Sequence, residues 1–196
     1  MVFMEKVLVT DPGSIVHYVN QDGDIFPANV MEILHLETPW RQEYFTFYGK
    51  TIPQPRLVCL YGSEDYTYSG LKVPAQPTPP MIRDLQQIVE ETVGSKFNSV
   101  LLNYYRDGQD SIGYHADDEP ELGVNPTIAG LSFGSIRSLC FRHNELSKRN
   151  FVIDQNHGDI VMMSGATQTY WKHAILKTKR VVGPRISLTF RMIGTK

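Results

Sequence analysis

His115 and Asp117 stand two residues apart in "GYHADDEPE" (113–121), and Asp118, Glu119 and Glu121 follow closely. Residues i and i+2 share a face of an extended segment. This spacing therefore aims one imidazole nitrogen and one carboxylate oxygen at the same point. Such a pair makes one edge of an octahedral metal site. A second histidine from another strand would complete a two-histidine, one-carboxylate triad and leave three positions open for a co-substrate and O2. His173, in "YWKHAIL", is the candidate.

The pair is weak evidence by itself. With six histidines and eleven aspartates in 196 residues, chance supplies His-x-Asp roughly a third of the time. A second copy exists, His157 and Asp159 in "QNHGDIV", where Asn, Gly and Asp suggest a turn entering a strand. It reads as a structural corner, although spacing alone does not decide between the two. His17, His35 and His143 lack such partners and read as ordinary core or surface histidines.

The strand "RISLTFRM" (185–192) carries the next chemistry. Ile186, Leu188, Phe190 and Met192 alternate with Arg185, Ser187, Thr189 and Arg191. The polar face suits water if it points outward. Inside a barrel it would bind an anion, because arginine matches a carboxylate with two parallel hydrogen bonds. Asn103 and Tyr105 are likewise same-face neighbours, in "SVLLNYY".

Strands must position these groups, and from residue 99 onward the sequence supplies them. "SVLLNYY", "TIAGLSF", "IRSLCFRH", "RNFVID", "GDIVMMS", "TYWKHAIL" and "RISLTFRMI" are separated by Gly, Asn, Asp and Pro turns. That succession predicts a sandwich or jelly-roll barrel, preceded by helices and earlier strands. The clearest helix follows "VPAQPTPP": Met81, Ile82, Leu85, Ile88, Val89 and Val93 form an apolar stripe, and Gly94 is its stop. It is expected to pack on an outer face of the barrel. A second helix is expected after Pro27, with Val30, Ile33 and Leu34 on one side.

The bulk properties fit one domain. Hydrophobic content of 41% and charged content of 20% are ordinary for a globular chain. Cys59 and Cys140 match no zinc or redox spacing and are expected as free thiols. The N-terminal "MVFMEKVLVTDPGS" is interrupted by Glu5 and Lys6, unlike a signal peptide, and no run approaches a membrane span. The expectation is an intracellular monomer, cytoplasmic or nuclear, with no membrane partner. The net charge of −2 gives no support for nucleic-acid binding, but "KTKR" (177–180) and "SKRN" (147–150) could form a local basic face.

Taken together, "NYYRDGQDSIGYHADDEPEL", "LSFGSIRSLCFRH", "HGDIVMMSG" and "PRISLTFR" resemble the AlkB family of iron(II)- and 2-oxoglutarate-dependent nucleic-acid dealkylases. "PRLVCLYG" and "YTYSG" resemble its animal-type DNA-repair branch. The resemblance implies a mainly β fold with flanking helices around a double-stranded β-helix (jelly-roll) core. In that division residues 99–193 are the catalytic core, and 1–98 are an N-terminal extension with helices and a nucleotide-recognition lid. It implies His115, Asp117 and His173 as iron(II) ligands. Arg185, Tyr105 and Thr189 would hold the distal carboxylate of 2-oxoglutarate, and Asn103 and Arg191 the end that chelates iron. Ser187 departs from the family, where asparagine is common.

For substrate, the resemblance implies alkylated DNA, single- or double-stranded, with RNA as the alternative polymer. Asp118 and Glu119 would face a base carrying a ring-nitrogen methyl, such as 1-methyladenine or 3-methylcytosine, because a carboxylate favours a cationic base and accepts from its amine. Tyr66, Thr67, Tyr68 and Ser69 match the base-stacking segment. Tyr48, Gly49 and Lys50 resemble the hairpin that fills the gap left by a flipped base. The implied reaction is oxidative demethylation with O2, releasing formaldehyde, succinate and CO2. A protein or small-molecule hydroxylase on the same scaffold, a non-catalytic nucleic-acid-binding barrel and a zinc hydrolase are the rivals.

Overall fold

The expected helices form where their end signals stand. Helix α1 spans Val30–Glu37 and buries Val30 and Leu34. Helix α2 spans Pro80–Val93, with proline at its start, where a missing N–H costs nothing. Gly94 ends it in the left-handed region at φ 68, its N–H bonded to the Glu90 carbonyl. The structure, a computed structural model, describes residues 4–9, 13–20, 25–62, 66–68, 71–146 and 148–194.

Among these residues two sheets face one another. The major sheet runs in the order β1 (Met4–Val9), β2 (Ser14–Asn20), β13 (Ile160–Gly165), β10 (Ile128–Gly134), β15 (Arg185–Arg191), β8 (Ser99–Tyr105), β4 (Lys50–Gly62) and β3 (Arg41–Phe47). The short β7 (Ala75–Gln76) joins it parallel to β4. The minor sheet runs β12 (Asn150–Gln155), β11 (Arg137–His143), β14 (Trp171–Ile175) and β9 (Ile112–His115). A separate hairpin pairs β5 (Tyr66–Tyr68) with β6 (Leu71–Val73). This is the mainly β, jelly-roll architecture expected from the strand succession.

Each major-sheet strand has two apolar destinations. Ile186, Leu188 and Phe190 of β15 pack with Ile82, Leu85 and Val89 of α2 and Val30 and Leu34 of α1, outside the barrel. Between the sheets, Leu101, Ile128, Val161 and Met163 meet Leu139, Phe141, Ile153 and Ile175. The polar face of β15 therefore points inward, and the helices take its apolar face.

Two local expectations differ from the structure. Thr169 and Tyr170 are not strand. They belong to the short helical turn α3 (Thr167–Tyr170), where the Thr167 hydroxyl bonds the Ser164 and Ile15 carbonyls. Met192 lies beyond β15 and is 45% exposed, rather than continuing the apolar row. Cys59 and Cys140 are free thiols, as expected.

Candidate active site

The minor sheet delivers the two histidines. β9 and β14 pair antiparallel with His115 directly opposite His173, and their ring centroids are 4.3 Å apart. Asp117 follows β9 and is fully buried. Its Oδ1 lies 3.8 Å from His115 Nε2 and its Oδ2 4.0 Å from His173 Nε2. The donor atoms of all three residues lie within 4.8 Å of one another. His115 Nδ1 sits 2.9 Å from the Gly113 carbonyl, which as an N–H···O bond puts the ring lone pair on Nε2, the nitrogen on the Asp117 side.

Two long-range contacts fix the carboxylate. Arg191 Nη2 donates to Asp117 Oδ1 at 3.0 Å, and the Asp117 N–H donates to Gln168 Oε1 at 2.9 Å. Burial alone would raise the Asp117 carboxyl. The charges of Arg191, His173 and His115 outweigh it and bring it down to about 2. Burial, with His115 beside it, lowers His173 to about 3, and burial lowers His115 too. At neutral pH the cluster is two neutral imidazoles and one carboxylate, the protonation state that a metal requires.

The major sheet builds the adjoining wall. β15 and β8 place Arg185 opposite Tyr105, Ser187 opposite Asn103 and Thr189 opposite Leu101. Asn103, Tyr105, Arg185, Ser187, Thr189 and Arg191 all line one narrow cavity that reaches the histidines and Asp117. Arg185, 2% exposed, donates through Nε to Ser132 Oγ at 2.9 Å and through Nη2 to Gln155 Oε1 at 2.8 Å. Its Cζ lies 5.4 Å from the centre of the Tyr105 ring. Burial pushes this guanidinium down to about 10, still charged at neutral pH. Asn103 Oδ1 accepts from Arg56 Nε at 2.8 Å.

Among the buried atoms of the cavity without a hydrogen-bond partner are Asp117 Oδ2 beside the histidines and Arg185 Nη1 at the other end. A buried polar atom left unmatched is costly. One is an acceptor among metal-binding nitrogens, the other a cationic donor. A divalent metal at one end and a carboxylate at the other satisfy both. Two histidines and one carboxylate with open positions suit iron(II).

The 2OG-Fe(II) oxygenase superfamily profile matches residues 28–191. The chain belongs to this superfamily. Its relatives put it in the AlkB family. It is 38% identical over 175 residues to mouse alpha-ketoglutarate-dependent dioxygenase alkB homolog 3, covering 84% of this chain and 60% of that protein. It is also 38% identical over 167 residues to mouse DNA oxidative demethylase ALKBH2, covering 77% of this chain and 70% of that one. The solved structure of OsALKBH1 superposes with a TM-score of 0.62 over 94% of this chain and 100% of that chain at 13% identity, a likeness of fold. Family and donor set agree on iron(II) as metal and 2-oxoglutarate as co-substrate.

The other sequence-predicted residues lie at the rim or beyond. Asp118 and Glu119 line an open basin that shares His115 with the inner cavity. Tyr48 and Gly49 form the turn between β3 and β4, where Phe47 pairs with Lys50. Both have positive φ, 46 and 73, as a two-residue hairpin turn requires. A non-glycine residue pays a steric penalty there, and the Tyr48 ring is 91% exposed at the apex. Lys50 is exposed beside it. Tyr66, Thr67 and Tyr68 form β5; their side chains, and all of Ser69, lie outside the described residues. No local sequence signal marks Arg56, Gln155 or Gln168, because their contacts cross 47, 30 and 51 residues.

Proposed function

We propose that this protein demethylates alkylated bases in DNA by oxidation, a direct-reversal repair reaction. The observation that carries the proposal is the pair of unmatched buried atoms, Asp117 Oδ2 and Arg185 Nη1, at opposite ends of one cavity. Bound by His115, Asp117 and His173, iron(II) with 2-oxoglutarate and O2 supplies oxidation of an N-methyl group, which leaves as formaldehyde while the co-substrate leaves as succinate and CO2.

The chain's residues do the positioning. Arg185, with Tyr105 and Thr189 beside it, binds the distal carboxylate of the co-substrate. Asn103, held by Arg56, orients the chelating end. Arg191 keeps Asp117 ionised and in place. The apolar sleeve of Leu101, Leu139, Val161 and Ile175 keeps water from the reacting end. Asp118 and Glu119 read the methylated base from the basin through its amine and its positive charge.

DNA as the polymer is supported by the resemblance to a protein named a DNA oxidative demethylase and by an exposed aromatic apex at Tyr48. In this reading residues 1–98 supply the grip, with Tyr48 filling the gap behind the flipped base, Lys50 touching a phosphate and Tyr66 to Ser69 covering the base. Residues 99–193 supply the chemistry. Exposed Arg142 and Lys172, directly opposite on β11 and β14, offer further phosphate contacts. The monomer and the intracellular location are part of the same proposal; among the described residues no helix is long and apolar enough to cross a membrane.

The test is release of formaldehyde and succinate in equal amounts from oligonucleotides bearing 1-methyladenine or 3-methylcytosine. Succinate that is indifferent to every methylated oligonucleotide would overturn the substrate class. Tyr48→Ala should slow duplex repair by roughly tenfold, since base–aromatic stacking contributes ~1–3 kcal/mol, and leave single-stranded substrate much less affected. Equal losses on both would remove Tyr48 from the gap-filling role.

A further inference from the structure

Arg137 is a charged residue in a core row. It begins β11, where Leu139, Phe141 and His143 follow on the same buried face, and it is 3% exposed. Leu139 lines the cavity, so Arg137 is the next inward position on that strand. Its Nη1 donates to the Asp107 carbonyl at 2.9 Å, and its Nη2 to the Asp110 and Leu176 carbonyls, both at 2.8 Å. These acceptors are neutral. The nearby carboxylates make their hydrogen bonds elsewhere, Asp110 with Arg106 and Asp107 with the Gln109 N–H, and reach Arg137 only through charge at a distance. Burying a cation without a direct acidic partner is expensive, and three carbonyl bonds alone are a modest return for it.

The position of its guanidinium gives that charge a use. Arg137 Cζ lies 5.6 Å from the centre of the Tyr105 ring, the same ring over which Arg185 lies at 5.4 Å. Two buried guanidiniums therefore converge on one tyrosine at the Arg185 end of the cavity. Arg185 already spends Nε on Ser132 and Nη2 on Gln155. Nη1 has no hydrogen-bond partner, but part of the Arg185 fork is already committed to Ser132 and Gln155, so a second positive charge nearby adds to the hold on a carboxylate there. Arg137 also ties the 107–110 loop to the end of β14, which fixes the backbone on the Tyr105 side.

We propose that Arg137 is a positioning and specificity-determining residue for the co-substrate. It sets the Tyr105 ring against Arg185 and supplies a second positive charge near the Arg185 end of the cavity, so that 2-oxo dicarboxylates are chosen over 2-oxo monocarboxylates. This rests on the proposed reading of the cavity as the 2-oxoglutarate site.

The experiment is calorimetric titration of the Mn(II)-loaded protein with 2-oxoglutarate and with 2-oxopentanoate, which has the same chain length without the distal carboxylate. Arg137→Met should weaken 2-oxoglutarate by roughly tenfold, the scale of one charge acting across several ångströms of protein. Binding of 2-oxopentanoate and of Mn(II) should stay within about twofold. Arg137→Lys keeps the charge and should recover most of the preference for the diacid, a rescue that a purely structural tie would not give. It also carries the test if Arg137→Met fails to fold. An unchanged diacid preference in Arg137→Met, a parallel loss of both acids and metal, or an Arg137→Lys protein that has lost the preference would each overturn the inference. Failure of the parent protein to bind 2-oxoglutarate at all would overturn the proposed function instead.

Discussion

His115-Ala116-Asp117 and His157-Gly158-Asp159 share a spacing, and both aspartates are fully buried. Asp159 is saturated: its Oδ2 accepts from the Tyr18 hydroxyl at 2.7 Å and from the Asn156 N–H and side-chain amide at 2.6 and 3.0 Å. His157 is exposed, and its Nδ1 accepts from the Gly134 N–H. That motif closes a corner between β12 and β13. Asp117 instead keeps Oδ2 without a hydrogen bond and faces two histidines. Spacing nominates candidates for a metal site; unspent valence selects among them.

The largest expected difference between the two motifs is catalytic. His115→Ala or Asp117→Ala should lower the proposed demethylation and iron affinity by at least about a hundredfold, because each removes one of the three proposed protein ligands. His157→Ala should leave both within about twofold, at the cost of about 1 kcal/mol of stability from a lost hydrogen bond. Asp159→Ala should reverse the pattern. With the buried acceptor for the Tyr18 hydroxyl and the Asn156 N–H removed, it should lose about 2–3 kcal/mol in denaturant unfolding yet bind metal as the parent does. Comparable metal loss in Asp159→Ala would erase the distinction between corner and site.

Much of this distinction was legible in the sequence, and the reasons for the rest are physical. The "SVLLNYY" strand forms with those ends as β8, and the alternation in β15 divides polar from apolar faces as expected. Both signals are local, and a period of two survives in any sheet. The pairing of His115 with His173 was inferable from residue type. The saturation of Asp159 was not, because Tyr18 is 141 residues away in sequence. Gln168 was hidden for the same reason, and the run containing Thr169 and Tyr170 read as strand because the contacts that curl it into α3 come from β2. Arg137 sat in plain view within "GSIRSLC", but local pattern cannot separate a buried arginine from one at a strand's wet end.

A smaller effect sharpens the contrast from behind the ligand. Gln168→Leu removes the acceptor for the Asp117 N–H and should weaken metal binding by about tenfold, the usual scale for a residue that orients a ligand. Gln168→Glu, which keeps an acceptor, should recover part of that loss. Equal affinities in parent and Gln168→Leu proteins would leave Gln168 as packing only.

The smallest expected effect is the response of the metal-free protein to acid. His173 falls from its ordinary 6.5 to about 3 on folding, so between those values the unfolded chain binds a proton that the folded one refuses. Stability from this group is full above pH 6.5 and is lost as pH drops toward 3; Asp117, lowered from 3.8 to about 2, continues the same trend below. Thermal melts should show a decline of up to about 1.4 kcal/mol per pH unit from His173, and His173→Gln should flatten it. A melt temperature that rises on acidification from pH 6.5 to 4 would contradict this description of the cluster.

The central claim is that His115, Asp117 and His173 form the metal site and that the second His-x-Asp does not. Anaerobic equilibrium dialysis against iron(II) with saturating 2-oxoglutarate tests it most directly, on the parent, His115→Ala and His157→Ala proteins. One iron per chain is expected in the parent and in His157→Ala, and almost none in His115→Ala. Iron lost from His157→Ala and retained in His115→Ala would contradict it.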